Sequence, residues 1–117
     1  TVYAVGGPAV AADPSATPLT GADRYATAAA VASGLFSSPS NAGVASGVAF
    51  PDALSGGAFQ AHFAGPLLLT DPGTLPASTS TYLSGAKASI VTTSTFGGTA
   101  AISAAVQTAI GTALGLS

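Results

Sequence analysis

The stretch GVASGVAFPDAL at 43–54 contains the unit from which the fold is built. Its first four residues are small or apolar and lack strict alternation, which is typical of a strand buried in a parallel sheet. Pro51 stands at the first position of a predicted helix over 51–63, and Asp52 lies beside the positive end of that helix. The Gly56-Gly57 pair inside this helix fits only where a neighbouring backbone passes close by. The stretch therefore predicts a strand followed by a helix.

The same alternation of short apolar runs and longer alanine-rich segments extends along the chain. Predicted strands lie at 2–5, 43–46, 66–70 and 88–93, and predicted helices at 21–35, 51–63, 76–84 and 99–114. The stretch 6–19 contains three prolines and is predicted to be an extended linker. Strands alternating with helices predict an α/β fold of three layers, in which a mostly parallel sheet of about four strands is flanked by helices (Rossmann-like or flavodoxin-like).

Charge is scarce: Asp, Glu, Lys and Arg make up 5% of the 117 residues, and the net charge is −2. Two cations cannot form the basic patch that nucleic acid requires. One histidine and four scattered aspartates offer no metal site, and the absence of cysteine excludes disulfides and thiolate chemistry. Neither phosphate-binding glycine motif is present, so no cofactor is expected. No apolar run is long enough to span a membrane.

Three charged residues fall in two motifs. Thr20 and Asp23 have the spacing of a capping box at the start of the helix over 21–35. Arg24 and Asp52 are both predicted near helix starts at one edge of the sheet. Two interpretations follow: an ion pair that fixes two loops, or direct contact of Arg24 with a ligand.

A catalytic triad of Asp52, His62 and a serine is disfavoured. The sequence GVASG at 43–47 has the serine one position too late for a nucleophile elbow. His62 falls near the end of its predicted helix, away from the edge where the loops converge. We therefore expect no enzyme and no catalytic residue. The aromatic residues of the middle of the chain are most simply interpreted as core: Tyr25, Phe36, Phe50, Phe59 and Phe63.

One internal echo links the two ends of the chain. VGGPAV at 5–10 resembles FGGTAAI at 96–102, and the first glycines of the two pairs lie 97 − 6 = 91 residues apart. Such glycine pairs form tight turns after strands, or expose backbone N–H groups to an anion. The echo predicts that 1–17 is the tail of a preceding repeat with a linker, and that 18–117 is one repeat module.

Four ordered motifs carry a family resemblance: GADRYATAAAVA at 21–32, FPDALSGG at 50–57, AGPLLLT at 64–70 and FGGTAAIS at 96–103. Together they resemble the cell-wall-binding type 2 repeats of Gram-positive surface proteins, over about 18–115. Leu67 stands where isoleucine is common. The resemblance implies structural motif positions at Gly21, Asp23, Pro66, Leu67, Leu68 and Leu69. It implies ligand-binding positions at Arg24, Tyr25, Thr27, Asp52, Gly97 and Gly98.

The resemblance also implies a function and a location. The module is expected to attach a surface protein non-covalently to an anionic cell-wall polysaccharide or a teichoic-acid-like polymer, outside the cell. Neighbouring repeats or copies of the chain itself are the other expected partners. The alternative is an assembly module of a surface layer or fibre, because an almost uncharged surface gives little repulsion between copies.

Overall fold

The computed structural model describes residues 1–116, which alternate between strands and helices. The strands are β1 (Tyr3–Val5), β2 (Thr17–Leu19), β3 (Asn41–Ser46), β4 (Leu67–Thr70) and β5 (Thr92–Phe96). The helices are α1 (Gly7–Ala12), α2 (Arg24–Leu35), α3 (Phe50–His62), α4 (Ala77–Ala86) and α5 (Ala104–Ala113). This is the α/β fold that the sequence predicts.

All strand pairs are parallel, and they form two sheets. One sheet pairs β1 with β2, and the other has the order β4-β3-β5. Pro18 explains why the β1–β2 sheet ends at β2. The Thr17 N–H donates to the Val2 carbonyl and the Gly6 N–H donates to the Leu19 carbonyl, so Thr17 and Leu19 face β1. Pro18 therefore stands at the outer edge of β2, where it has no N–H to donate.

The aliphatic core lies on one face of the three-stranded sheet, between β3, β4 and the helices α2, α4 and α5. Its buried side chains form one cluster: Ala32, Ala42, Val44, Leu68, Leu83, Ile102, Val106, Ile110 and Ala113. Three of these residues, Val106, Ile110 and Ala113, lie on α5. Ser103 caps α5, because its Oγ accepts a hydrogen bond from the Val106 backbone N–H.

The opposite face of the sheet is covered by α3. A methyl group built on Gly56 of α3 would lie 2.7 Å from the ring of Phe96. The glycine therefore allows α3 to approach β5, as its place inside a helix predicted. Gln60 is buried on the same face beside Gly43 of β3.

The prediction of an extended linker over 6–19 was wrong, because the prolines occupy positions where helices and edge strands accept them. Pro8 lies in the first turn of α1, where no backbone donor is needed. Between α1 and β2, the Asp13 carboxylate accepts hydrogen bonds from the Ser15 backbone N–H and hydroxyl, which closes a turn.

Two other predicted boundaries were wrong. The strand predicted at 88–93 lies at 92–96, because the backbone N–H groups of Ser89 and Ile90 bond back to the Ala86 carbonyl and prolong the end of α4. The last helix begins at Ala104 rather than near 99, after a turn in which Ile102 donates to the Gly98 carbonyl.

Several aromatic residues predicted to be core are exposed. Phe50 is 70% exposed, and Phe59 and Phe63 are each 45% exposed. Phe50 is largely uncovered at the start of α3, whereas the Phe59 ring packs edge-on against Phe96 of β5, with ring centroids 5.5 Å apart, and against Phe63 at 4.8 Å. None of the helices in that part of the chain is long and apolar enough to cross a membrane.

Candidate functional site

The candidate site lies at the edge of the sheets where the strands end. Because the strands are parallel, their carboxyl ends meet at one edge, and the helices that follow them begin there. Ligands of open α/β sheets bind in this position. The sequence-predicted residues come from the loops between β2 and α2, between β3 and α3, and after β5.

Arg24 and Tyr25 meet at Gly47. Arg24 is the first residue of α2, and its Nη1 donates a hydrogen bond to the Gly47 carbonyl. A methyl group at Gly47 would lie 2.6 Å from the Tyr25 ring at Cε1. The start of α2 is thus tied to the loop that precedes α3. Within residues 1–116, the hydrogen-bond partner of the guanidinium is this carbonyl rather than the Asp52 carboxylate.

The turn before α2 is closed by two side chains. The Asp23 Oδ1 accepts a hydrogen bond from the Ala26 backbone N–H at 2.8 Å, so Asp23 is the N-cap. The capping box predicted from Thr20 and Asp23 was therefore wrong: Asp23 is itself the N-cap, and Ala26 at the third helical position has no side chain that could bond back. The Thr27 Oγ1 accepts a bond from the Gly21 N–H at 3.0 Å, and Gly21 lies too close to Ala26 for any side chain.

Asp52 lies against Gly97 rather than against Arg24. A methyl group at Gly97 would lie 2.6 Å from the Asp52 Oδ2, and Gly97 has φ +117°, a conformation that favours glycine. A side chain at position 97 would therefore collide with Asp52 and would also disfavour the backbone conformation found there, so both effects favour glycine. Gly98 has open space around it. The structure thus joins Asp52 to the end of β5, while Arg24 joins α2 to the end of β3.

The segment Pro66–Leu69 has mainly a packing role. Pro66 and Leu68 are buried, and Leu67 contacts α3 at Gly56. Leu69 alone reaches a groove at the carboxyl edge. This groove has a volume of about 630 Å³ and is lined by β1, by the Gly6-Gly7 turn and by the start of α2, including Gly21, Asp23, Arg24 and Thr27.

The two cations of the chain lie at opposite edges. Arg24 is exposed at the carboxyl edge, and Lys87 is exposed at the end of α4. Asp23, Asp52 and Asp71 accompany Arg24, so net charge does not attract an anion to this edge. Partial positive charge comes instead from helix starts. No side chain caps the start of α3, next to the loop that Arg24 holds.

Shifted pKa values lie away from this edge. Hydrogen bonds from the Ser15 hydroxyl and backbone N–H lower the pKa of Asp13 in the turn before β2. Burial raises the pKa of Tyr82 on α4. His62 ends α3 at the opposite edge and packs edge-on against Phe63, with ring centroids 4.9 Å apart. In residues 1–116, no three His, Asp, Glu or Cys side chains gather in a metal-binding group.

Residues 19–107 match the family described as cell wall binding domain 2 (CWB2). The chain belongs to this family. A comparison with curated proteins finds no match.

Two solved structures share the fold of this CWB2 chain. Cwp8 from Clostridium difficile matches 95% of the chain with a TM-score of 0.76 and 24% identity. Cwp6 from Clostridium difficile matches 84% of it, also with a TM-score of 0.76, at 21% identity. The chain spans 20% of Cwp8 and 15% of Cwp6. It therefore corresponds to a small part of each of these proteins.

Two features of the carboxyl edge of this CWB2 module were not predicted from the sequence. Gly47 accepts a hydrogen bond from the guanidinium of Arg24 and lies against the ring of Tyr25. Its position directly after a buried strand was the one sequence feature that could have indicated this role. Val48, which is 64% exposed, projects from the same loop, and Phe50 projects from the first turn of α3 that follows it. No sequence signal separated them from the core, because an aromatic residue beside a strand is more often buried.

Proposed function

We propose that this CWB2 module attaches its protein non-covalently to an anionic cell-wall glycopolymer at the cell surface. The observation that carries the proposal is the placement of Arg24. It is the one cation at the carboxyl edge of residues 1–116, it is exposed, and its side chain is already oriented by Gly47. The family match supports the attachment role in its general form.

The Arg24 guanidinium has further N–H donors with which it could bind an anion. A guanidinium carries five N–H donors in a planar fork, and one hydrogen bond to Gly47 engages only part of it. The start of α3 lies on the other side of this loop and has no side-chain cap. A phosphate or carboxylate of the polymer would receive charge-assisted hydrogen bonds from Arg24 and weaker ones from backbone N–H groups.

The groove beside Arg24 suits the uncharged part of such a polymer. Its walls are the backbone of Gly6, Gly7 and Gly21 together with apolar side chains, those of Pro8, Val31 and Leu69 among them. A sugar ring would contact this lining while its charged substituent meets Arg24. One cation gives weak binding, so strong attachment would require several modules acting together.

The test compares the only two cations of the chain. Arg24→Gln and Lys87→Gln change the net charge equally, but only the first lies at the proposed site. The purified variants are incubated with Gram-positive cell walls before and after extraction of the secondary polymer. Loss of a charge-assisted bond is expected to lower retention of Arg24→Gln about tenfold or more, while Lys87→Gln binds like the parent chain.

Two outcomes would reject the proposal. Equal retention on extracted walls would show that the polymer is not the ligand. Equal losses for both variants would show that charge, and not the Arg24 site, sets the affinity. Arg24→Lys keeps the charge but loses the planar fork, and we expect it to fall between the parent and Arg24→Gln. Circular dichroism of each variant checks that the fold survives.

A second candidate function is assembly between copies of the chain. The exposed apolar side chains of α3 favour it, because Phe50 and Leu54 lie one helical turn apart on the same side of α3 and are 70% and 68% exposed. Sedimentation velocity over a range of concentrations tests it. A chain that remains monomeric at every concentration would reject assembly.

A further inference from the structure

The loop between β4 and α4 begins with an aspartate followed by a proline, Asp71 and Pro72. A peptide bond of this type can be attacked from within the chain, because an Asp carboxyl forms a five-membered ring with its own carbonyl carbon. The nitrogen of proline belongs to a tertiary amide and leaves more readily than that of other residues. The sequence contains one other such bond, between Asp13 and Pro14, so the two can be compared in one molecule.

The two aspartates fold over their bonds in the same way. The Gly73 N–H donates to the Asp71 Oδ1 at 3.0 Å, and the Ser15 N–H donates to the Asp13 Oδ1 at 3.1 Å. Each of these Asx turns closes a ring that contains both atoms of the Asp–Pro bond. The carboxyl is therefore held beside the bond at both sites, and other contacts must distinguish them.

A buried hydroxyl contacts the carbonyl of Asp71. The Thr70 Oγ1 donates to the Asp71 carbonyl oxygen at 2.9 Å, and Thr70 is 0% exposed. Its second acceptor, the Thr74 carbonyl, is farther away at 3.4 Å. A fixed donor of this kind stabilises negative charge that develops on a carbonyl oxygen under attack. On the other side of the bond, the Ser103 N–H holds the Pro72 carbonyl at 3.0 Å, so both residues of the bond are fixed.

At Asp13, a hydroxyl contacts the carboxyl instead. The Ser15 Oγ donates to the Asp13 Oδ1 at 2.6 Å, in addition to the bond from the Ser15 N–H. These hydrogen bonds lower the pKa of Asp13, so less of its carboxyl is protonated in mild acid. The Asp13 carbonyl accepts a bond from the exposed turn, from the Ala16 N–H at 3.2 Å. At the other site, the residue in the place of Ser15 is Gly73, which has no hydroxyl.

We propose that this module cleaves its own chain between Asp71 and Pro72 in mildly acidic surroundings. The Asp71 carboxyl oxygen bonds to the Asp71 carbonyl carbon, the bond from that carbon to the Pro72 nitrogen breaks, and the carboxyl proton passes to this nitrogen. The products are a secondary amine at Pro72 and a five-membered cyclic anhydride at Asp71. Water then opens the anhydride to two carboxylic acids. The inference depends on neither polymer binding nor assembly.

Acid acts on this site through the Asp71 carboxyl itself, because that group supplies the proton that leaves with Pro72. The hydrogen bonds of the loop come from uncharged hydroxyl and backbone N–H groups. The other charged side chains of the carboxyl edge have contacts of their own, as described above: Asp23, Arg24 and Asp52.

The cut would divide the buried core between two fragments. Leu68 would lie on one fragment, and Leu83 and Val106 on the other, although all three belong to one cluster. The β3–β5 pairing would also join the fragments. Cleavage would therefore convert the module into a complex of two chains, which stays together when concentrated and loses stability on dilution.

The two Asp–Pro bonds provide an internal control for the experiment. The purified chain is kept at about pH 4, where an ordinary Asp is partly protonated, and circular dichroism checks that it stays folded. Intact-mass spectrometry and N-terminal sequencing measure the fragments that begin at Pro72 and at Pro14. In the folded chain, we expect about tenfold more cleavage before Pro72 than before Pro14. In urea, where the turns and the Thr70 contact are lost, the two rates should be similar.

Three variants assign the effect to individual groups. Thr70→Val keeps the shape of the side chain and removes the donor, so cleavage before Pro72 should fall about tenfold while cleavage before Pro14 is unchanged. Asp71→Asn removes the attacking carboxyl and should abolish the cut before Pro72. Ser15→Ala releases the Asp13 carboxyl and should raise cleavage before Pro14.

Four results would overturn the proposal. Equal cleavage at the two bonds of the folded chain would show that the fold does not activate Asp71. A ratio that remains the same in urea would assign the difference to the sequence alone. Cleavage in urea but at neither bond of the folded chain would show that the fold protects both bonds. Full cleavage in a folded Thr70→Val variant would remove the hydroxyl from the reaction. The first three results need only the unmodified chain.

Discussion

The two faces of the β4-β3-β5 sheet are built in different ways. One face packs against α2, α4 and α5 through aliphatic side chains such as Val44, Leu68 and Ile110. The other face is covered by α3, whose Gly56 approaches the side chains of Phe96 and Leu67 closely and whose Gln60 amide is buried beside Gly43. The first face gains stability from apolar area, and the second depends on how closely the backbones approach.

This difference decides where function can be added. The aliphatic face is closed within residues 1–116, and its residues are occupied by packing. The α3 face is thin, and its outer side exposes Phe50 and Leu54. The loop before α3 also contains Gly47, which holds Arg24. The CWB2 module therefore carries its proposed contacts on the α3 side and at the carboxyl edge, while the other side supplies most of the core.

The largest expected effect is on the aliphatic face. Leu68→Ala removes a side chain that is 0% exposed, and the cavity should lower the free energy of unfolding by about 2–5 kcal/mol. Urea denaturation followed by circular dichroism measures the change. Leu54→Ala removes the same atoms from a residue that is 68% exposed on α3, and we expect a change within about 0.5 kcal/mol. Equal losses for the two variants would contradict this assignment of the core.

The next effect separates the two neighbouring glycines of α3. A methyl group at Gly56 would lie 2.7 Å from Phe96, whereas one at Gly57 would find its nearest neighbour, Leu67, at 3.9 Å. Gly56→Ala should lower the free energy of unfolding, because overpacking costs about 1–3 kcal/mol and exceeds the gain of about 1 kcal/mol in helix propensity. Gly57→Ala should instead raise the free energy of unfolding by about 0.5–1 kcal/mol.

The two substitutions are expected to change the free energy of unfolding in opposite directions, and this contrast tests how closely α3 approaches β5. Thermal and urea unfolding of both variants, in the same buffer as the parent chain, provide the measurement. Stabilisation by Gly56→Ala would show that α3 does not approach β5 as closely as the structure places it.

The sequence was informative wherever one local rule determined the structure. Buried apolar runs predicted β3 and β4, and Pro51 predicted the start of α3. The rule failed between residues 6 and 19. There, Pro8 and Pro18 occupy a first helical turn and an edge strand, and only the partner strand β1 distinguishes these positions from a linker.

The candidate site was predictable only in part. The motifs brought Arg24, Asp52 and Gly97 to one edge, because parallel strands end together. The sequence did not show which of these residues contact each other. In the structure, Arg24 donates its hydrogen bond to the Gly47 carbonyl, and the Asp52 carboxylate lies beside Gly97. These contacts depend on distances between loops, and loops are not constrained by periodicity. The exposure of Phe50 was missed for the same reason.

A smaller effect is expected at the buried amide of the α3 face. Gln60 is 1% exposed, and no group within residues 1–116 hydrogen-bonds to its amide nitrogen or oxygen. Gln60→Met keeps the length of the side chain and removes the buried polar group, so it should stabilise the fold by about 1 kcal/mol. The exposed Gln107→Met is the matched control and should change stability by less than about 0.5 kcal/mol. Destabilisation by Gln60→Met in urea unfolding would show that the amide is hydrogen-bonded in solution.

The smallest effect tests a buried hydroxyl on α4, one of the helices that cover the aliphatic face. The Tyr82 Oη is buried and has no hydrogen-bond partner within residues 1–116, and burial raises the pKa of Tyr82. Tyr82→Phe should therefore be neutral or stabilise the fold by up to about 1 kcal/mol at neutral pH.

The raised pKa of Tyr82 also makes the free energy of unfolding depend on pH. The contribution of the neutral Tyr82 side chain is fully present below the unfolded pKa of 10.0 and is lost as pH rises through the higher pKa of the folded state. The Phe variant should lose less stability above about pH 10 than the parent chain, whereas Tyr3→Phe, at an exposed position, should behave like the parent. Parallel pH profiles of unfolding for the parent and Tyr82→Phe would mean that this hydroxyl is solvated, and the aliphatic face would then be less tightly closed around α4 than around α5.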